Sequence, residues 1–216
     1  SEDDIVAQKS NGDTDLGGEN FDDKLYEHVR EELLDQGAPD PSEDKYKRTT
    51  LRGNVKKTKE ILSNKQDAAV NFQADEFYDV EISRSEFQDL TADLVEKTIE
   101  LIDELFEDSE YSKDDVDNVL MVGGSTRMPH VRDAVEEYFD MEPSTDTNPD
   151  EVVAKGAALE ASLYQEDIDG LKTKTSITDV LSHSLGVETH SDDGPNQFDP
   201  ILEEGRELPD TNTKPY

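Results

Sequence analysis

The stretch VDNVLMVGGSTRMPHVRDAV, Val116 to Val135, decides how the chain is read. Its apolar run Val119-Leu120-Met121-Val122 is too short for a helix and ends on Gly123-Gly124, the pattern of a buried strand. Two glycines free the backbone to turn sharply and to bring its N–H groups close to a ligand. Pro129 suits the first turn of a helix, where its missing N–H costs nothing. Strand, glycine turn and helix start together form a place where backbone donors and helix dipole point at an anion such as phosphate. An ordinary tight strand-to-helix turn uses the same residues, so the glycine pair by itself leaves both readings open.

Working outward, composition sets the limits. The 216 residues exceed the ~150 of a typical domain, which predicts one large domain or one domain plus a fragment. Lys and Arg number 21 against 55 Asp and Glu, a net charge of −34, with only 32% hydrophobic and 6% aromatic residues. Such a balance normally accompanies disorder. Here the apolar residues fall at regular helical and strand spacing, so the acid is read as a folded surface adapted to concentrated salt. A Debye length of ~3 Å at 1 M screens the self-repulsion. So acidic a surface argues against nucleic acid and against an anionic membrane as partners. The chain has no cysteine, hence no disulfide and no thiolate metal site. It shows no signal peptide and no apolar run of membrane-spanning length, and the expected location is cytoplasmic. A start at Ser1 without methionine suggests a piece of something longer.

Along the chain, Ile5-Val6-Ala7 reads as the end of a strand. Phe21, Leu25, Val29 and Leu33 at four-residue spacing predict a helix closed by Gly37 and Pro39. Asn11, Asp13 and Asp15 resemble the opening of a calcium loop, but Leu16 stands where that loop needs glycine. Ser42 is the expected cap of a second helix with the buried stripe Leu51, Val55, Thr58 and Leu62. Arg48, Arg52, Lys56, Lys57 and Lys59 crowd its other faces. That basic cluster is either a solvated face paired with nearby acids or an anion site. Ala69–Phe72 and Tyr78–Ile82 alternate as a hairpin with one wet face. Ser83 and Glu86 form a capping box ahead of one long helix with the stripe Phe87, Leu90, Leu94, Thr98, Leu101 and Leu105. Asn148, Pro149 and Glu151 open a further helix. Leu171–Val180 reads as a linker, and His183–Thr189 and Phe198–Pro209 as strands.

Four runs carry a resemblance: GDTDLGGENFD (Gly12–Asp22), NVLMVGGSTRMPHV (Asn118–Val131), NPDEVVAKGAA (Asn148–Ala158) and SLGVET (Ser184–Thr189). In this order and spacing the chain resembles the seventy-kilodalton heat-shock chaperones, the DnaK family. The resemblance implies an α/β (mixed α+β) fold: lobe II of an actin-like ATPase over residues 1–166, with a helical and hairpin subdomain inserted at about 17–112. An interdomain linker over 167–182 and the first strands of an incomplete β-sandwich over 183–216 follow. It implies ATP or ADP as ligand, with Mg2+ only where the first lobe is present. It also implies unfolded polypeptide clients and two kinds of co-chaperone, a J-domain protein and a nucleotide exchange factor.

Residue by residue, the resemblance nominates Gly18, Lys59, Ser63, Gly123, Gly124, Ser125, Arg127, Met128 and Asp150 as the adenosine-side wall of a nucleotide cleft, with no catalytic residue and no metal ligand. Lys donates to ribose or phosphate oxygens, and a Ser hydroxyl can bond an adenine nitrogen. Two positions of the same wall depart from the family. Lys56 replaces a ribose-binding glutamate, and Glu60 replaces an arginine that stacks on adenine. An acceptor has become a donor and a planar cation an anion; a swapped ion pair between the two could compensate, but the expectation is adenosine binding weaker by on the order of 1–3 kcal/mol. Thr175-Ser176-Ile177-Thr178 replaces a leucine-rich linker, which predicts weak docking, although Asp179 is retained. The family's phosphate loops and catalytic lysine and glutamate have no counterpart here, so the expectation is binding without hydrolysis. The alternative is a non-catalytic adaptor of the same family.

Overall fold

The computed structural model describes residues 5–107, 109–144, 151–163, 177–181, 183–189, 197–208 and 210–214. The larger of two compact units comprises Gly12–Asp103 with Tyr111–Glu151. Its core forms where helix α1 (Gly18–Asp35), helix α2 (Lys45–Leu62) and the hairpin of β2 (Asp67–Gln73) and β3 (Phe77–Ser83) meet. Phe21, Leu25, Val29 and Leu33 repeat every four residues, so all four fall on one face of α1, and all are buried. Gly37 ends that helix at φ +84°, a conformation that glycine adopts without a Cβ clash. The Gly37 N–H donates to the Leu34 carbonyl and the Ala38 N–H to the Leu33 carbonyl, both at 2.9 Å. Those are the two bonds of a Schellman stop.

The expected stripe Leu51, Val55, Thr58 and Leu62 is the buried face of α2. Its cap is not Ser42. Pro41–Glu43 forms a separate 3-10 turn, and the Asp44 carboxylate accepts from the Tyr46 N–H at 2.8 Å and the Lys47 N–H at 3.0 Å. These bonds favour the charged carboxylate and hold its pKa below the usual range.

In the antiparallel hairpin, Val70, Phe72, Val80 and Ile82 face the core while Asn71, Asp79 and Glu81 are exposed, the alternation expected of a half-wet sheet. Carbonyls outside the two-stranded ladder find side-chain donors. Thr58 and Asn54 of α2 reach Ala69 O at 3.3 Å and Asn71 O at 2.8 Å, and Gln36 at the end of α1 reaches Asp79 O at 3.1 Å.

The capping box of Ser83 and Glu86 is present, but the long helix it heads is two helices, α3 (Arg84–Leu90) and α4 (Ala92–Glu107). The break falls at Thr91, which is fully buried. Its hydroxyl donates to Phe87 O at 2.8 Å and lies 3.2 Å from His130 Nε2. His130 belongs to α5 (Pro129–Phe139), whose first residue is the expected proline. The buried strand expected at Val119–Val122 is also corrected. The run makes one parallel bridge, Leu120 with Ser144, and Leu120 is 50% exposed. A parallel strand needs neighbours on its edges as well as apolar side chains. Among the described residues this run has only that one.

The smaller unit comprises Ser1–Asn11, Glu104–Glu110 and Val152–Tyr216. Strand β1 (Ile5–Val6) pairs in parallel with β4 (Ile177–Val180), which pairs antiparallel with β7 (Glu207–Leu208). Ile177–Val180 lies in the stretch read as linker, and it enters the sheet through backbone hydrogen bonds, which do not depend on apolar side chains. Strands β5 (Leu185–Thr189) and β6 (Gln197–Leu202) form an antiparallel pair. Helix α6 covers Val152–Leu163; its expected cap, Asn148-Pro149, lies outside the described residues.

Candidate functional site

Three elements of the larger unit surround a cavity of about 650 Å³. The first turn of α1 contributes Gly18, Glu19 and Asp22. The last two turns of α2 and the residues after it contribute Lys56, Lys59, Glu60, Ser63 and Asn64. The 3-10 turn Gly124–Arg127 and the residue after it contribute Gly124, Ser125, Arg127 and Met128. The volume is that of a small-molecule site, and the lining mixes hydroxyl, amide, ammonium and carboxylate groups with one thioether.

Each element reaches the cavity for a local reason. On α2, Lys56, Lys59, Glu60 and Ser63 recur at three- and four-residue intervals, which puts them on one side of the helix, apart from Leu51, Val55 and Leu62. The 3-10 turn forms because Gly123 takes φ +96° and its carbonyl accepts from both the N–H and the hydroxyl of Thr126, at 3.2 and 2.6 Å. Gly123 itself does not line the cavity; it shapes the turn that carries Ser125 and Arg127 there. Met128 is 3% exposed and closes the turn against the core.

Lys59 ties the elements together. Its ammonium donates to Gly18 O at 2.8 Å and stands 2.9 Å from Asp22 Oδ1. The Lys59 side chain is 12% exposed and that of Asp22 15%, so the pair is largely withdrawn from water. The Asp22 contact is an ion pair rather than an aligned hydrogen bond, and among the described residues that buried carboxylate oxygen accepts no other donor. Gly18 faces both Lys59 and Ser125: a Cβ there would meet Lys59 Nζ and Ser125 Oγ at 3.4 Å, ordinary van der Waals contact. Part of the basic cluster on α2 is therefore paired with α1. Arg52 bonds Asp23 and lies 4.7 Å from the centroid of the Tyr26 ring. Asp23 raises the Arg52 pKa, chiefly through that hydrogen bond.

Of the residues nominated from sequence, all but Gly123 and Asp150 line this cavity, and Asp150 lies outside the described residues. Lys56 and Glu60 both line it, and among the described residues no ion pair joins them. Sequence reasoning missed Glu19, Asp22 and Asn64. Their positions were readable: Asp22 stands one helical turn after Gly18, and Asn64 follows Ser63.

The fold is thus a mixed α/β protein with a polar, ligand-sized cavity between two helix ends and a glycine turn. Comparison with known proteins gives the family. Residues 5–209 match the family described as Hsp70 protein. The chain is also similar to the protein named "Chaperone protein DnaK" of Halobacterium salinarum, at 31% identity over 214 residues. That alignment covers 96% of this chain and 33% of the relative. The chain belongs to the Hsp70 family, whose nucleotide-binding fold is that of the actin-like ATPases. It spans about a third of the length of the relative it matches.

Proposed function

We propose that this chain is part of an ATP-dependent chaperone that binds and releases unfolded polypeptides, and that its own cavity holds the nucleoside end of ATP or ADP. The observation that supports this reading is the convergence of Gly18, Lys59, Ser63, Ser125 and Arg127, nominated from three separate stretches of sequence, on one cavity. The donor set fits an adenosine. Ser63 and Asn64 can exchange hydrogen bonds with a base, and Lys56 and Lys59 can donate to sugar oxygens. On this reading residues 1–166 form the nucleotide-binding lobe and 183–216 the opening of the peptide-binding domain. The chain by itself binds nucleotide without hydrolysing it.

Calorimetric titration of adenosine and ADP into the chain tests the reading. Saturable binding, weakened by Ser63→Ala, is expected; no heat from either ligand rejects it. A phosphate-release assay checks the second part, and release above the buffer rate refutes binding without hydrolysis. The acid surface further suggests a protein suited to concentrated salt in a cytoplasm. Circular dichroism that shows full folding at low salt, with no gain in molar KCl, removes that reading.

A further inference from the structure

The cavity carries six ionisable side chains whose formal charges cancel: Lys56, Lys59 and Arg127 against Glu19, Asp22 and Glu60. Triphosphate recognition requires the opposite, a surplus of donors and positive charge at the place where the phosphates lie. The most enclosed of these cations, Lys59, is already neutralised at 2.9 Å by Asp22. Among charges withdrawn from water such a contact is screened far less by salt than an exposed one.

We propose that Asp22 is a specificity-determining residue, a role that rests on the reading of this cavity as a nucleoside site. By cancelling the charge of Lys59 it makes the cavity accept the uncharged nucleoside and gain little from attached phosphates. Lys59 has three N–H donors. One goes to Gly18 O and a second faces Asp22, which leaves one for a neutral ligand oxygen. The Gly18 carbonyl and Asp22 hold the ammonium from two sides, so that donor is aimed before a ligand arrives. Asn in place of Asp22 keeps the size of the side chain and removes the negative charge. Lys59 then becomes an uncompensated cation in a sheltered cavity, which an anion stabilises.

The test is titration of the full chain and of Asp22→Asn with adenosine, ADP and pyrophosphate, at one fixed salt concentration, with far-UV circular dichroism to check the fold. For the unsubstituted chain the expected result is adenosine and ADP affinities within about threefold of each other and no pyrophosphate binding. For D22N, pyrophosphate and ADP binding should strengthen at least tenfold relative to adenosine. If the unsubstituted chain binds ADP tenfold or more tightly than adenosine, the inference fails whether or not the variant folds. It fails equally if D22N leaves the preference unchanged. In both cases adenosine binding still stands as evidence for a nucleoside site. If neither adenosine nor ADP binds, the nucleoside reading itself falls, and the role of Asp22 falls with it.

Discussion

Phe87→Ala separates the packing of the core from the ionisation of His130 in one experiment. Phe87 is 2% exposed, and its ring lies 6.5 Å from that of Phe21 and 5.6 Å from the His130 imidazole, at 90° to the latter. Truncation removes the ring and leaves a cavity among α1, α3 and α5, at a cost of about 3–5 kcal/mol. For a chain of this size that lowers the melting midpoint by roughly 6–20 °C. A second effect follows from the same geometry. Burial is the main reason the His130 pKa lies below its ordinary value of 6.5, with Asp133 pulling weakly the other way. Water entering the vacated space weakens that penalty, so the His130 pKa should rise toward 6.5 in the variant. Urea unfolding followed by circular dichroism measures the first effect, and an NMR pH titration of the His130 ring measures the second. Phe87→Leu, which keeps most of the volume, should show both effects in smaller measure. A loss below about 1 kcal/mol, or a His130 midpoint that stays put or falls, would refute this account of the aromatic cluster.

The same histidine makes stability depend on pH in the intact chain. Because its folded pKa is depressed, the unfolded chain takes up the proton first as pH falls below 6.5. Stability should therefore be full above that pH and should decline from there down to the folded pKa. His130→Gln should flatten this part of a stability-versus-pH curve, and an unchanged slope would count against it. Asp44→Ala removes the acceptor for two helix-end N–H groups and should cost about 1 kcal/mol in urea unfolding, whereas Ser42→Ala should change stability little. Gly37→Ala forces a side chain into the left-handed region at φ +84° and should cost about 1–2 kcal/mol; a neutral result would mean that the Schellman stop is not held in solution.

The parts of the fold legible in sequence were those whose signal is local and periodic. Phe21, Leu25, Val29 and Leu33 announce α1 because four-residue spacing has one physical meaning, and the alternation around Val70 and Val80 announces the hairpin. The break at Thr91 was not legible. The apolar stripe runs straight through it without glycine or proline, and the partner of its hydroxyl, His130, is 39 residues away. Val119–Val122 failed for a related reason: composition describes what a strand's side chains prefer but not whether neighbouring strands exist. Ser42 was read as the cap in place of Asp44 because both residue types suit an N-cap, and the separate 3-10 turn at Pro41–Glu43 left no periodic signal. At the site, the residues with family-like identities were found, whereas Asp22 was passed over. Its importance comes from the distance to Lys59 across two helices, and no one-dimensional pattern records that distance.

The hydrogen bonds from Thr58, Asn54 and Gln36 to the hairpin have a consequence for how the chain behaves among other chains. A two-stranded sheet has two open edges, and each is a template on which a foreign strand can add. Here Ala69 O and Asn71 O on one edge and Asp79 O on the other are already occupied by donors from α2 and α1. An incoming strand has to displace two bonds at the β2 edge or one at the β3 edge, each contributing on the order of 1 kcal/mol, before it gains any of its own. The two helices that build the core thereby also keep the hairpin from recruiting extended polypeptide, which matters most in a crowded solution of partly folded chains.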